Sequence, residues 1–195
     1  MFSRVSEKIT NNLVKHGAVD INEREIYLFG VHQGLIILLN IITTVAIGLL
    51  FGTLWQMLIF TVAYMSLRSY AGGYHASTPL RCYFLSTLLT TTVSLLIRYI
   101  DLHTLTYVGL LILAGIIVIA FSPVGNKNKP LDDSEKKVYK KKAVLICVIE
   151  VLTAMVLLCF RLESVAVNLV WALVAISGMM ILNVGCMNRQ GDLNR

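Results

Sequence analysis

His75 and Cys82 are the residues whose chemistry stands out first. They lie seven positions apart in a short polar stretch, residues 68–82, between two long apolar runs. A cysteine becomes a strong nucleophile when a neighbouring base takes its proton, and histidine is the side chain most often used as that base. In one unbroken helix the two residues would be about 10 Å apart along the axis, too far for a hydrogen bond. Cysteine chemistry therefore requires the chain to fold back between them.

Two pairs of residues favour such a fold. The residue before a proline is pushed out of helical geometry, and proline is favoured as a first helical residue. We therefore expect Thr78 to cap a helix that begins near Pro79. Cys82 then falls in or just beyond the first turn, where the positive end of the helix dipole favours a thiolate. Gly72 and Gly73 can adopt conformations closed to other residues and expose N–H groups, which are candidates for an oxyanion hole.

The spacing of His75 and Cys82 also permits a simpler interpretation, in which both are incidental members of a polar loop. No Cys or His spacing in the chain supplies four metal ligands. We therefore expect neither a metal site nor a cofactor.

The composition indicates which elements position the polar stretch. Of 195 residues, 56% are hydrophobic and 14% are charged, which is far more apolar than a soluble domain of this length. A helix that crosses a bilayer needs roughly 20 mostly apolar residues. We predict an all-α polytopic membrane protein, a single membrane domain over residues 1–195, with six transmembrane helices after an N-terminal amphipathic interfacial helix. The predicted spans are 26–50, 54–67, 82–100, 105–121, 143–160 and 165–186.

The amphipathic helix is predicted within residues 1–20. Four apolar residues recur there at spacings of three and four among polar residues, namely Phe2, Val5, Ile9 and Leu13. This segment is too polar to span, so we expect it to lie in the interface and contact lipid. Asn22 with Glu25 resembles a capping box that starts the first span.

The distribution of basic residues predicts the orientation. With six spans, 15 of the 17 Lys and Arg residues fall on one side, together with both termini, the 68–82 stretch and a basic loop, 122–142. The positive-inside rule places that side in the cytoplasm of the cell. The net charge of +6 is then a topology signal, and no nucleic-acid partner is expected.

Glu150 lies about two turns into the fifth predicted span, and a carboxylate at that depth usually faces the protein interior or a cavity. Three roles stay open: pairing with Arg68, orienting His75, or hydrogen bonding to a neighbouring helix. A small transporter or channel that uses Glu150 and Arg68 is the alternative function.

The lysines of the basic loop also have two interpretations. They are either topology anchors attracted to anionic lipid or a landing site for an acidic peptide. The five that follow Asp133 are Lys136, Lys137, Lys140, Lys141 and Lys142.

The 68–82 stretch resembles the histidine–cysteine motif of the accessory gene regulator protein B (AgrB) family. The residues that carry the resemblance are Arg68, Gly72, Gly73, His75, Ala76 and Cys82. Residues 122–131, followed by lysines, resemble the central loop of that family. Members are membrane-embedded cysteine endopeptidases of Gram-positive bacteria that process the precursors of quorum-sensing autoinducing peptides.

The resemblance implies a reaction and a partner. His75 would deprotonate Cys82, the thiolate would release the C-terminal tail of an AgrD-like precursor, and a thioester would remain on Cys82. A cysteine or serine of the substrate would then displace the enzyme, giving a cyclic thiolactone or lactone. Arg68, Gly72 and Gly73 would support this site, and the five lysines would hold the acidic tail of a precursor whose N-terminus is amphipathic. Apart from the resemblance, we keep Glu150 as a further supporting residue because of its depth in the span, and we expect a homodimer.

Overall fold

The computed structural model describes residues 2–73, 78–124 and 132–192, and these residues form an all-helical protein, as predicted. Across these ranges lie one short 3₁₀ helix, Ile21–Glu23, and seven α-helices. The α-helices are α1 (Phe2–Lys15), α2 (Arg24–Leu50), α3 (Leu54–Ala71), α4 (Pro79–Tyr99), α5 (Thr104–Phe121), α6 (Asp133–Cys159) and α7 (Glu163–Asp192). His75 lies outside the described residues.

Helix α1 packs on α2 through its small polar side chains. Ser6 and Thr10, one turn apart, are buried against α2, whereas Val5 and Ile9 on the adjoining side are 42% and 38% exposed. The helix ends at Lys15, and Gly17 follows with φ of +70°. These two residues of the apolar stripe are thus turned away from the protein, as an interfacial helix requires, and the place of the helix in the interface stays a prediction.

The capping box predicted at the start of α2 is wrong. Asp20 lies upstream and its carboxylate accepts the N–H of Asn22 at 2.9 Å, which begins the 3₁₀ helix instead. Helix α2 follows from Arg24 without a side-chain cap, and Glu25 pairs with Arg24 at 2.9 Å. The carboxylate of Asp20, rather than an Asn22–Glu25 capping box, therefore caps the start of this helical segment.

In the part of the chain that the structure describes, five helices are long and apolar enough to cross a membrane, namely α2 with the 3₁₀ turn before it, α4, α5, α6 and α7. Helix α3 is not among them, because Gln56, Arg68 and several hydroxyls lower its hydropathy. Helix α3 is nevertheless central, with Met57, Leu67 and Ala71 fully buried. One face of α3 is thus buried against other helices, where polar side chains are better tolerated than against lipid. The six-span topology stays a prediction.

Helix α3 packs most extensively on α7, the most deeply buried of the five candidate spans. Hydrogen bonds mark both ends of α3. The carbonyl of Ala71 accepts the N–H of Val124, just after α5, at 2.9 Å. At the other end Thr53 and Ser94 of α4 share a hydroxyl hydrogen bond of 2.7 Å. The end of α3 therefore meets the end of α5, and the rings of Tyr70 on α3 and Tyr139 near the start of α6 lie 5.8 Å apart at the same end of the bundle.

The predicted loop 122–142 is shorter than expected, because α6 already begins at Asp133. The N–H of Asp132 donates to the carboxylate of Glu135 at 3.3 Å, which is one half of a capping box. Lysine has a high helix propensity, so a lysine-rich segment continues the helix once it has started. The five lysines predicted in a loop consequently lie on a helix.

Candidate functional site

Cys82 lies at the start of α4, as the Thr78-Pro79 pair predicts. Thr78 is extended, with φ of −132° and ψ of 147°, and its hydroxyl accepts the N–H of Arg81 at 3.3 Å. The carbonyl of Thr78 accepts the N–H of Cys82 at 3.0 Å. The cysteine is half-buried, one turn into the helix, where the partial positive charge of the helix N-terminus is still felt.

A cavity of about 470 Å³ opens beside Cys82 between α2, α3, α4 and the start of α6. Four predicted site residues line it together: Arg68, Gly72, Gly73 and Cys82. The rest of its wall mixes apolar side chains, such as Ile36 and Phe60, with polar ones, such as Asn40, Thr61 and Thr90. The cavity thus combines a nucleophile with both apolar and hydrogen-bonding surface.

Arg68 is held in this cavity by Tyr64, one turn earlier on α3. Its guanidinium donates to the hydroxyl of Tyr64 at 2.5 Å. The guanidinium carbon also lies 5.4 Å from the centre of the same ring, in a cation–π arrangement. A cation held in place by Tyr64 therefore lines the same cavity as Cys82.

The glycine pair follows α3 and precedes His75 by two residues. Gly72 has φ of +80°, and its N–H donates to the carbonyl of Arg68 at 3.1 Å. This bond closes the helix, so the N–H of Gly72 does not serve the oxyanion hole predicted for both glycines. Gly73 is buried and lines the cavity, and its N–H makes no hydrogen bond to any residue within 2–73, 78–124 and 132–192.

Glu150 takes one of the three roles left open by the sequence. It is 7% exposed, and one carboxylate oxygen accepts the hydroxyl of Ser66 on α3 at 3.1 Å. Its other oxygen has no partner among the described residues. Glu150 and Arg68 form no ion pair, so the pairing of these two side chains is wrong. Its relation to His75 lies outside the described part of the chain.

The lysines at the start of α6 fall into two groups. Lys142 lies with its ammonium 5.1 Å from the centre of the Tyr70 ring, and the rings of Tyr70 and Tyr139 are 5.8 Å apart. Both tyrosines line the cavity, so this cluster fixes α6 against the end of α3. All five lysines are exposed, and the other four lie one, three or four positions apart along the helix, namely Lys136, Lys137, Lys140 and Lys141.

Sequence reasoning missed several residues that shape the site: Tyr64, Tyr70, Tyr139 and Asn183. Tyr64 carries a local signal, because it precedes Arg68 by one helical turn. Asn183 of α7 donates its side-chain amide to the carbonyl of Gly73 at 2.9 Å. A polar residue in the last predicted span was the only sign of it, because its partner is 110 positions away.

The fold and site define a multi-helix membrane protein with a cysteine in a cavity at one end of its bundle. The sequence profile described as "Accessory gene regulator B" (AgrB) matches residues 6–184, and the chain belongs to this family. Family members are membrane proteins linked to the processing of quorum-sensing peptides, so the resemblance found in the sequence is confirmed.

Several relatives show how far the similarity extends. A putative AgrB-like protein of Clostridium perfringens (strain SM101) is 29% identical over 177 residues, which cover 87% of this chain and 79% of the relative. Protein FsrB of Enterococcus faecalis is 28% identical over 150 residues, 75% of this chain and 60% of the relative. The accessory gene regulator protein B of Staphylococcus intermedius is 27% identical over 108 residues, 55% of this chain and 57% of the relative. No solved structure matches this chain.

Proposed function

We propose that this chain is a membrane-embedded cysteine endopeptidase that removes the C-terminal tail of an AgrD-like quorum-sensing precursor. The observation that carries the proposal is the placement of Cys82 at the start of α4, lining one cavity with Arg68 and Gly73. The volume of about 470 Å³ lies within the range of roughly 300–1,000 Å³ typical of ligand sites. Family membership supports the class of substrate.

In the first half of the reaction, His75 takes the proton of the Cys82 thiol, and the thiolate attacks the carbonyl carbon of the scissile peptide bond. The Gly73 N–H donates to the oxyanion of the tetrahedral intermediate, and the guanidinium of Arg68 stabilises its negative charge. The intermediate collapses as the C–N bond breaks, and His75 returns its proton to the leaving amine. The C-terminal segment departs, and the retained segment stays as a thioester on Cys82.

In the second half, a cysteine or serine within the retained segment attacks the thioester carbonyl. The new bond closes a ring, a thiolactone or a lactone respectively, and the sulfur of Cys82 leaves. The proton lost by the attacking group passes through His75 to Cys82, which restores the enzyme. The cavity assists by holding the segment close to the thioester, so that ring closure is intramolecular.

We place this site on the cytoplasmic side of the cell membrane. The end of α3, the start of α4 and the start of α6 meet at one end of the bundle, so the lysine-rich helix and Cys82 lie on the same side. With both termini on that side too, most Lys and Arg residues of the chain are cytoplasmic. An acidic substrate tail would then meet the lysines next to the cavity.

The alternative function, a transporter or channel, needs Glu150 and Arg68 along one polar path. Glu150 instead bonds to Ser66, and it is absent from the cavity wall formed by the described residues. No observation favours that alternative.

Trapping the thioester tests the proposed reaction. The purified chain in lipid nanodiscs is mixed with a precursor whose ring-forming cysteine or serine is replaced by alanine. Because ring closure is blocked, we expect the chain to gain the mass of the retained segment at Cys82 and lose it on treatment with hydroxylamine. The unmodified precursor is the control and should give cyclic product with little adduct. Cleavage of the blocked precursor without an adduct, or with an adduct on Cys147 or Cys159, would contradict the mechanism.

Four of the exposed lysines of α6 give a second prediction. Replacing Lys136, Lys137, Lys140 and Lys141 by glutamine should raise KM for an acidic-tailed precursor by about tenfold or more, with kcat little changed. The estimate follows because each exposed ion pair contributes roughly 0.2–1 kcal/mol. Cleavage rates over a range of precursor concentrations, at low and high salt, measure the effect.

Two controls separate charge from structure. Exchanging Lys8 and Lys15 of α1 for glutamine removes two positive charges far from α6 in the sequence and should leave KM unchanged. A precursor with a neutral tail should be insensitive to the four α6 substitutions. An unchanged KM for the acidic-tailed precursor would remove these lysines from substrate binding.

A further inference from the structure

We propose that Asn183 of α7 is a positioning residue, which holds the backbone that leads to His75 and so sets the activity of Cys82. This inference rests on the proposed function of His75 as the base. The side-chain nitrogen of Asn183 donates to the carbonyl of Gly73 at 2.9 Å. Only the amide nitrogen can donate to a carbonyl, so the orientation of the Asn183 amide is defined.

The hydrogen bond between Asn183 and Gly73 lies close in sequence to the proposed base, His75. Gly73 is two residues before His75 and follows Gly72, which has φ of +80°. Two successive glycines have more backbone freedom than any other pair, so the direction of the chain beyond them must be set by other contacts. The Asn183 bond is such a contact, and it acts on the second glycine of the pair.

A second contact holds the same segment from the other side. The N–H of Val124 donates to the carbonyl of Ala71 at 2.9 Å, and the carbonyl of Val124 lies over Gly72, 2.5 Å from where a β-carbon would be. Helix α7 and the segment after α5 thus contact three consecutive residues, Ala71 to Gly73. The Val124 contacts hold the end of α3, and the Asn183 bond holds the carbonyl of Gly73 just beyond it.

The side chain of Asn183 does not itself line the cavity beside Cys82, so its effect on catalysis runs through the loop. A histidine that must approach a thiol to within hydrogen-bond distance is sensitive to small displacements of its backbone. Losing the hydrogen bond frees the Gly73 carbonyl to turn, and the share of molecules with His75 in place falls. We expect kcat to drop by about tenfold, whereas KM, set by the cavity and the lysines, stays within about twofold.

The experiment compares Asn183→Leu with Asn168→Leu. Both residues are asparagines of α7 whose amide donates to a backbone carbonyl, but Asn168 bonds to Ser164 within its own helix at 2.8 Å. The first readout is the kcat and KM of precursor cleavage. The second is the rate of Cys82 alkylation by iodoacetamide across pH, in a background where Cys147, Cys159 and Cys186 are alanine.

Asn183→Leu should reduce kcat and shift the pH of half-maximal alkylation in the same direction as His75→Ala. Asn168→Leu should change neither, whatever it does to thermal stability. Asn183→Gln keeps the donor one methylene further out and should restore part of the lost kcat. If Asn183→Leu leaves both readouts unchanged while His75→Ala shifts them, or if a folded Asn183→Gln is as impaired as Asn183→Leu, the positioning role is overturned and the proposed function stands. If His75→Ala itself leaves alkylation unchanged, the base assignment fails, and this inference fails with it.

Discussion

Replacing Cys82 with alanine is expected to abolish cleavage of the precursor, with a loss on the order of 10⁴-fold or more. Removing the nucleophile of a hydrolase leaves only the acceleration supplied by binding and oxyanion stabilisation. Insertion and stability should stay close to those of the unmodified chain, because Cys82 is half-buried beside a cavity and fills no closely packed core position. Cleavage is measured by mass spectrometry of the peptide, and folding by thermal denaturation in detergent.

Cys159→Ala is the matched control. This cysteine is exposed at the end of α6, and its substitution should leave both cleavage and stability unchanged. Cys82→Ser should be nearly as inactive as Cys82→Ala, because a hydroxyl is far harder to deprotonate than a thiol. Precursor cleavage by the alanine variant at more than about a thousandth of the normal rate would exclude Cys82 as the nucleophile.

The start of α4 shows which parts of the site could be predicted from sequence. Thr78, Pro79 and Cys82 are close in the chain, and the conformational limits of a residue before proline act locally. The helix start predicted near Pro79 therefore agrees with the structure, in which α4 begins at Pro79. The apolar runs were equally informative, because the length and composition of a membrane-spanning helix are constrained by the bilayer.

The errors arise where two local signals compete or where a contact is distant. Asn22 and Glu25 resembled a capping box, but Asp20 offered a carboxylate two residues upstream of Asn22. The lysines after Asp133 looked like a charged loop, although lysine also favours helix. In both cases the sequence pattern is present, but a second local signal determines where the helix begins.

The shape of the cavity was beyond sequence reasoning for a different reason. The carboxylate of Glu150 on α6 accepts a hydrogen bond from Ser66 on α3. The side-chain amide of Asn183 donates to the carbonyl of Gly73, which is 110 residues earlier in the chain. Such pairs depend on how the helices pack, and in membranes packing is set by close contact and interhelical hydrogen bonds rather than by an apolar periodicity. A single sequence shows that Glu150 and Asn183 are polar residues in apolar segments, but it does not identify their partners.

Gly72→Ala is the second substitution with a large expected effect, and we expect kcat to fall by about 100-fold. A β-carbon at this position would lie 2.5 Å from the carbonyl oxygen of Val124, and φ of +80° is itself unfavourable for alanine. Either Val124 must move, which weakens its N–H bond to Ala71, or the backbone at residue 72 must change. Both responses displace the segment that leads to His75. Precursor cleavage and Cys82 alkylation measure the loss.

Substitutions at two other glycines serve as controls. They distinguish the steric clash at Gly72 from the general effect of replacing glycine by alanine. Gly178 lies within α7 with open space around it, so Gly178→Ala should leave cleavage unchanged and, if anything, stabilise the helix by up to about 1 kcal/mol. At Gly73 a β-carbon meets only Met179, at 3.8 Å, and φ is +155°. Gly73→Ala thus introduces backbone strain without a clash, and its loss of kcat should be smaller than that of Gly72→Ala. If Gly72→Ala kept normal cleavage, the junction of Val124 with the end of α3 would have no part in placing the catalytic loop.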